Sequence, residues 1–242
     1  MAASPSWRRE QTGLLQERLI VLAGTPDDSS LIGDDLVLIA RLVADRIAAV
    51  DYASVTSRYE GAYATVAASS DLAVAVDEAQ YRDETGPCLE ALDGKHPTAV
   101  PDIAATMTWP GFREKALRLG LKASLSIPLF AGSGQIIGAL NLYGRHAGPM
   151  KALTAAVWGA YEPSTSVAGN HDDDLDDGGR ELAAGLIGAM ALRDMIQQAI
   201  GVIMATTGRN ADCAYFMLRM QAAESGATLT DTAVHFIEQE HA

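Results

Sequence analysis

From Arg180 to about Thr207 apolar side chains recur every three or four residues, at Leu182, Leu186, Ala189, Leu192, Ile196, Ala199 and Ile203. That spacing predicts one long helix with a single apolar stripe. Gly208 supplies the stop. Asn210 can cap a second helix over 211–223, and Gly226 follows it. Thr228 and Asp231 have capping-box spacing for a last helix over 229–239, with Asp a weaker partner than Glu. The C-terminal part of the chain, 180–242, therefore reads as an all-α unit of three helices.

Upstream the pattern changes. Leu14, Leu15, Leu19 and Leu22 give an amphipathic helix over 8–23, ended by Gly24, Pro26 and Asp27. Leu31, Leu38, Leu42 and Ile47 repeat the pattern over 31–50. Two strand-like runs, 53–59 and 62–68, flank Glu60-Gly61, a hairpin signal. Ser70 can cap a helix from Asp71 to about Arg82, with Leu72, Val76 and Ala79 facing inward. Pro110 opens a further helix that presents Phe112, Ala116 and Leu119 and stops at Gly120. Strands 124–130 and 135–143 enclose a Gly-Ser-Gly turn. Residues 150–162 form the last helix of this part, with Leu153, Val157 and Tyr161 on one face and Pro163 at its end. The order predicts an antiparallel sheet with helices packed on it, an α+β domain over 30–162. Residues 1–29 form an N-terminal helix and arm. Residues 163–179 hold five aspartates and no cation, which predicts an open, acidic, flexible linker.

The formal charge of the 242-residue chain is −13. A general nucleic-acid coat needs clustered Lys and Arg, so this balance excludes one. Residues 180–242 carry four arginines (180, 193, 209 and 219) against seven carboxylates. Any nucleic-acid contact by this unit must therefore use a small local patch and be weak and salt-sensitive. No apolar run approaches the ~18 residues of a membrane span, and no apolar signal core follows the N-terminal arginines. These features predict a cytoplasmic protein with no membrane partner. Cys88 and Cys213 lie in different predicted domains and read as reduced thiols. No Cys/His cluster has metal-ligand spacing.

Arg193, Ile196, Gln198, Ala199, Gly201, Ile203 and Met204 are followed by Gly208, then by Ala214, Tyr215 and Leu218, then by Leu229, Asp231 and Ala233. In order and spacing they resemble the ANTAR domain, a three-helix RNA-binding module of antitermination regulators. The middle of the chain resembles the GAF sensor domain. The matching residues are Gly86-Pro87-Cys88, Asp102, Trp109-Pro110 with Phe112, Gly120, Ser126 with Pro128-Leu129, and Gly138 to Tyr143. The set is similar to actinobacterial GAF domains that precede ANTAR domains. The resemblance implies a regulator that is not an enzyme. Its ANTAR domain would bind paired hairpins and single-stranded loops of a leader RNA and prevent terminator formation. Its GAF domain would sense redox state or a small-molecule effector of unknown identity, in a pocket bounded by the sheet and the segment from Cys88 to Asp102.

Arg193, Gln197, Gln198, Gly201, Arg209 and Arg219 are the candidate RNA-binding residues, with arginines for phosphates and glutamines for bases or riboses. Gly201 lies within a helix, where Gly costs ~1 kcal/mol relative to Ala. It serves either close helix packing or close approach of RNA. Tyr215 is either core or a stacking platform. The family pattern has Lys or Arg directly before Gly201, where this chain has Ile200. Ile200→Lys is expected to strengthen RNA binding if the position is exposed and to destabilise the fold if it is buried. Cys88, at a loop-to-helix start, is either a small buried filler or a redox- or ligand-sensing thiol activated by the helix N-terminus. The GAF-fold methionine sulfoxide reductases use several cysteines in one domain, so that enzyme reading fails on cysteine count. The apolar faces of 8–23, 31–50 and 180–207 predict a homodimer, with the N-terminal helices as its seam. A dimeric interaction module whose three-helix unit has lost RNA binding is the competing reading.

Overall fold

A computed structural model describes residues 13–162 and 174–240. Two helices open it, α1 (Leu14–Gly24) and α2 (Ile32–Arg46). Strands β1 (Tyr52–Tyr59) and β2 (Ala62–Ala68) form the predicted hairpin. Its turn residues Glu60 and Gly61 have φ of 50° and 86°, the left-handed pair that matches strand twist. Helices α3 (Asp71–Arg82) and α4 (Pro87–Gly94) follow, then β3 (Thr98–Val100), α5 (Pro110–Arg118), β4 (Ala123–Phe130), β5 (Ile136–Gly144) and α6 (Ala147–Tyr161). The sheet order is β2-β1-β5-β4-β3, and every neighbouring pair is antiparallel. The C-terminal unit comprises α7 (Asp177–Thr207), α8 (Ala211–Ser225) and α9 (Leu229–Glu240).

The caps anticipated from sequence form. Ser70 Oγ accepts from the Leu72 N–H at 3.2 Å, and Asn210 Oδ1 accepts from the Cys213 N–H at 3.0 Å. Thr228 Oγ1 accepts from the Asp231 N–H at 3.0 Å and donates to Asp231 Oδ2 at 2.7 Å. The shorter Asp thus closes the box onto the hydroxyl, where a Glu would reach the backbone N–H.

Three cores organise these elements. Ala53, Val55, Leu125, Ile127, Leu140 and Leu142 line one sheet face and join α1, α2, α6 and the first half of α7. A second core, including Val76, Ile103, Phe112 and Tyr143, lies on the other face. The third holds the helical bundle together through Ile196, Ala199, Ile200, Ile203, Leu218 and Leu229. Helix α7 is therefore shared. Its first half belongs to the α+β core and its second half to the bundle.

Three expectations change. The segment 163–179 is not an open linker over its last residues. Leu175 is buried, Asp176 Oδ1 accepts from the Gly179 N–H at 2.7 Å, and Asp176 Oδ2 accepts from the Ala48 N–H at 2.5 Å. One carboxylate spent on two N–H donors offsets the charge repulsion that the composition suggests; residues 163–173 lie outside the described residues. The N-terminal stripe is not free to be a dimer seam either, because Leu15, Leu19 and Leu22 are buried in the core that contains α7. Gly185 makes the approach of α1 possible: a Cβ there would stand 2.7 Å from Leu19 Cδ1 and 3.0 Å from Gln16 Cα. The contact is pinned by an Arg46–Glu181 ion pair and by Glu181 Oε2 accepting from the Leu15 N–H at 3.4 Å. The predicted start of this helix, 8–12, lies outside the described residues. Finally, α7 is long and apolar enough to cross a membrane by length and composition. Run length does not reveal this, because Arg193, Asp194 and two glutamines interrupt the apolar residues. Its stripe is packed, with Leu182, Leu186, Ile196 and Ile203 buried.

Candidate functional site

The second sheet face is polar and buried at once. Ser54, Thr56, Thr98, Ser124, Ser126 and Asn141 project from four strands and are all under 9 % exposed. Helix α4 covers β3, β4 and β5, and α3 covers β1 and β2. Asp77 of α3 is fully buried and gathers donors. Tyr143 Oη donates to its Oδ1 at 2.5 Å, Asn141 Nδ2 donates to the same oxygen at 3.3 Å, and Thr65 Oγ1 donates to Oδ2 at 2.8 Å. Tyr81 bridges Thr56 and Thr65 at 2.8 and 2.9 Å. Gln80 donates to the Tyr143 hydroxyl at 3.2 Å and accepts from the Cys88 N–H at 3.0 Å.

Burial raises the Asp77 carboxyl from 3.8 to about 6, against the lowering effect of its hydrogen-bond donors, Tyr143 first among them. The Tyr143 phenol is pushed well above its ordinary value by burial and then by the Asp77 charge. Asp77 is thus the group of this cluster that changes charge near neutral pH. The same face holds four buried oxygens without a hydrogen-bond partner among the described residues: Thr98 Oγ1, Ser124 Oγ, Ser126 Oγ and Asn141 Oδ1. Register brings them together, with Thr98 opposite Ser126, and Ser126 opposite Asn141. Buried polar atoms of this kind are ordinarily satisfied by protein, water or ligand.

At the other end of the chain, Arg193, Gln197 and Gly201 are spaced four apart on α7, on one side of the helix. Gly201 is exposed, and a Cβ there would meet nothing within 4 Å among the described residues. Packing does not require this glycine. Gln198 and Arg209 are also exposed. The other candidates are held by the rest of the chain. Arg193 Nε donates to the Gly134 carbonyl at 3.2 Å, and its guanidinium lies 4.3 Å from the Phe130 ring centroid. Gln197 Nε2 donates to the Ser133 carbonyl. Arg219 pairs with Asp28 at 2.7 Å. Tyr215 is half-buried against the bundle core, and its hydroxyl accepts from the Asp27 N–H at 3.4 Å. Its phenol is pushed up to about 12 by burial and by Asp27.

Two family models match the chain: a GAF domain over residues 34–156 and an ANTAR domain over residues 184–237. The chain belongs to the GAF-domain family and carries an ANTAR domain. The pairing is that of a signal-sensing antitermination regulator with an RNA-binding module. No curated protein matches the chain. Among solved structures, a domain assigned to a two-component sensor histidine kinase protein of Sinorhizobium meliloti 1021 is 16% identical, with a TM-score of 0.40. The alignment covers 72% of this chain and 93% of that one. This likeness is too loose to carry an argument.

Within the GAF domain, Cys88 sits at the start of α4 but is completely buried. Burial, followed by the Asp77 charge, pushes its thiol up. Of the two readings of Cys88, burial fits the small filler, because desolvation opposes the thiolate more than the helix N-terminus favours it. The segment from Cys88 toward Asp102 does border the sheet, through α4 and β3. The buried polar face beneath it was not anticipated. The signal for it was the alternation of Ser and aliphatic residues in β4, which also fits a half-solvated strand. In the ANTAR domain, Ile200 is 5 % exposed and lies in the bundle core. The charge found before the glycine in the family pattern therefore has no room here.

Proposed function

We propose that the chain is a cytoplasmic, non-catalytic regulator that binds tandem RNA hairpins through its ANTAR domain and thereby controls transcription termination. The GAF domain sets that activity by holding a small polar molecule against Thr98, Ser124, Ser126 and Asn141, with Asp77 below them. Two copies present two bundles to the paired hairpins. Exposed Val21, Leu31, Phe216 and Met220 are apolar surface available to a homodimer. The observation that carries this reading is the ANTAR match over residues 184–237. The open surface around Gly201 supports it.

A filter-binding titration of tandem-hairpin RNA against salt tests the reading. The expected result is preference for hairpin over scrambled RNA, with a shallow salt slope on the order of two to four phosphates per protomer. Absence of any hairpin preference would favour the second reading, an interaction module that no longer binds RNA. The buried Ile200 and the acidic balance of residues 180–242 support that alternative.

A further inference from the structure

The β4–β5 turn of the GAF domain and the arm after α1 converge on the ANTAR bundle. The turn contributes carbonyl oxygens and the arm contributes carboxylates. Ser133 and Gly134 present their carbonyls to Gln197 and Arg193. Asp28 presents its carboxylate to Arg219. Asp27 ties the two segments together, its Oδ1 accepting from the Ser133 N–H at 3.0 Å. These acceptors are the chemical equivalents of phosphate and ribose oxygens. Of the four arginines in residues 180–242, Arg193 and Arg219 are spent on them. In a chain of net charge −13, such engagement removes much of what could attract RNA.

We propose that this junction is an autoinhibitory contact, in which the turn at 131–134 and the carboxylate of Asp28 occupy the ANTAR groups that RNA must take. The inference rests on the RNA-binding reading above and adds its regulation. Helix α7 runs unbroken through both cores. Release is therefore a displacement of the turn and arm, with no swing of one domain on the other. The polar part of the contact suits displacement: the Arg219–Asp28 pair has side-chain exposures of 32% and 67%, while Ala131 and Gly132 of the turn are buried and set the packing that release must break. The turn also joins the two strands that carry Ser124, Ser126, Asn141 and Tyr143 on the buried polar face. A ligand seated there acts on the strands whose tip holds Arg193 and Gln197.

Gly132 provides the test. A Cβ at this position would stand 2.5 Å from the Tyr215 hydroxyl, 2.9 Å from the Thr25 carbonyl oxygen and 3.0 Å from Leu229 Cδ2. Gly132→Leu in the full chain therefore forces the turn off the bundle without altering a residue of the RNA face. Asp28→Asn releases Arg219 alone, and Glu60→Gln, the same charge change at the remote hairpin, is the control. The readouts are affinity for tandem-hairpin RNA at fixed salt and hydrogen exchange of residues 131–134. Gly132→Leu should bind about tenfold tighter than the parent, as expected if the competent state is populated roughly one part in ten. Asp28→Asn should gain about twofold to threefold on the same argument, and Glu60→Gln should gain nothing. Faster exchange at 131–134 with unchanged RNA affinity overturns the autoinhibitory contact and leaves RNA binding standing. If no variant binds RNA once exchange reports a released turn, the RNA reading itself fails and this inference falls with it. Should Gly132→Leu fail to fold, Asp28→Asn decides, and no gain beyond the Glu60→Gln control overturns the contact.

Discussion

Asp77 makes the fold less stable as pH rises through the mildly acidic range. Its carboxyl stands at about 6 in the folded protein against an ordinary 3.8, and burial is the cause. The folded state therefore binds the proton more tightly than the unfolded chain does. Well below pH 3.8 both states are protonated and no penalty exists. Above about pH 6 the fold carries a buried anion. At 1.36 kcal/mol per pKa unit the difference amounts to about 3 kcal/mol lost between those limits, opposite in sign to a salt-bridged carboxylate. Asp77→Asn removes the charge and keeps an acceptor for Tyr143 and Asn141, while the Thr65 hydroxyl turns to accept from the new amide. Urea unfolding followed by circular dichroism at pH 4 to 8 measures both proteins, and their difference cancels the other carboxylates. Parent minus variant should fall by about 2 kcal/mol between pH 4 and 7 and then level. A difference curve flat within ~0.5 kcal/mol, or one that rises with pH, refutes the reasoning: the hydrogen-bond donors to Asp77 would then outweigh burial.

Other expectations follow from the packing. Ile200→Lys should lower stability by about 3 kcal/mol or more in a thermal melt, because an ammonium would replace a side chain of the bundle core; it should gain no RNA affinity. Glu181→Ala strands the Arg46 guanidinium and the Leu15 N–H, with side-chain exposures of 17% and 9% for Arg46 and Glu181. The expected loss is about 3 kcal/mol, and an unchanged urea midpoint would show that the pair does not fasten α1, α2 and α7. A thiol reagent should modify exposed Cys213 at once and buried Cys88 only as fast as the fold opens. Equal rates at the two sites would mean that the α3–α4 layer is already open.

Local chemistry carried most of the architecture. Glu60-Gly61, Ser70, Pro110, Asn210 and the Thr228–Asp231 pair mark their elements where the backbone places them, because each acts on neighbours within a few residues. Strand β3, Thr98–Val100, gives no signal in the sequence for the converse reason. Three residues carry no periodicity, and the strand exists only through pairing with β4. The polar face was hidden differently. The β4 sequence ASLSIPLF alternates as a half-solvated strand does, yet all eight residues are buried. Alternation tells which residues share a face. It does not tell whether water or a helix covers that face.

The bundle surface separates identity from partnership more sharply. Arg193, Gln197 and Arg219 read as groups that seek oxygen acceptors, and each has one. The acceptors lie far away in sequence, on Gly134, Ser133 and Asp28. A polar residue on a helix face announces its chemistry and leaves its counterpart open, since guanidinium binds backbone carbonyl, carboxylate and phosphate by the same geometry. The candidates therefore divide on this surface. Gln198, Gly201 and Arg209 remain exposed, while Arg193, Gln197 and Arg219 are shared with the sensor and its arm. A site whose groups are matched in this way to an internal partner and to an external one links its own accessibility to the position of a four-residue turn. That turn joins the strands bearing the buried polar oxygens, so the proposed RNA recognition and the proposed sensing would meet at its hydrogen bonds to Arg193 and Gln197.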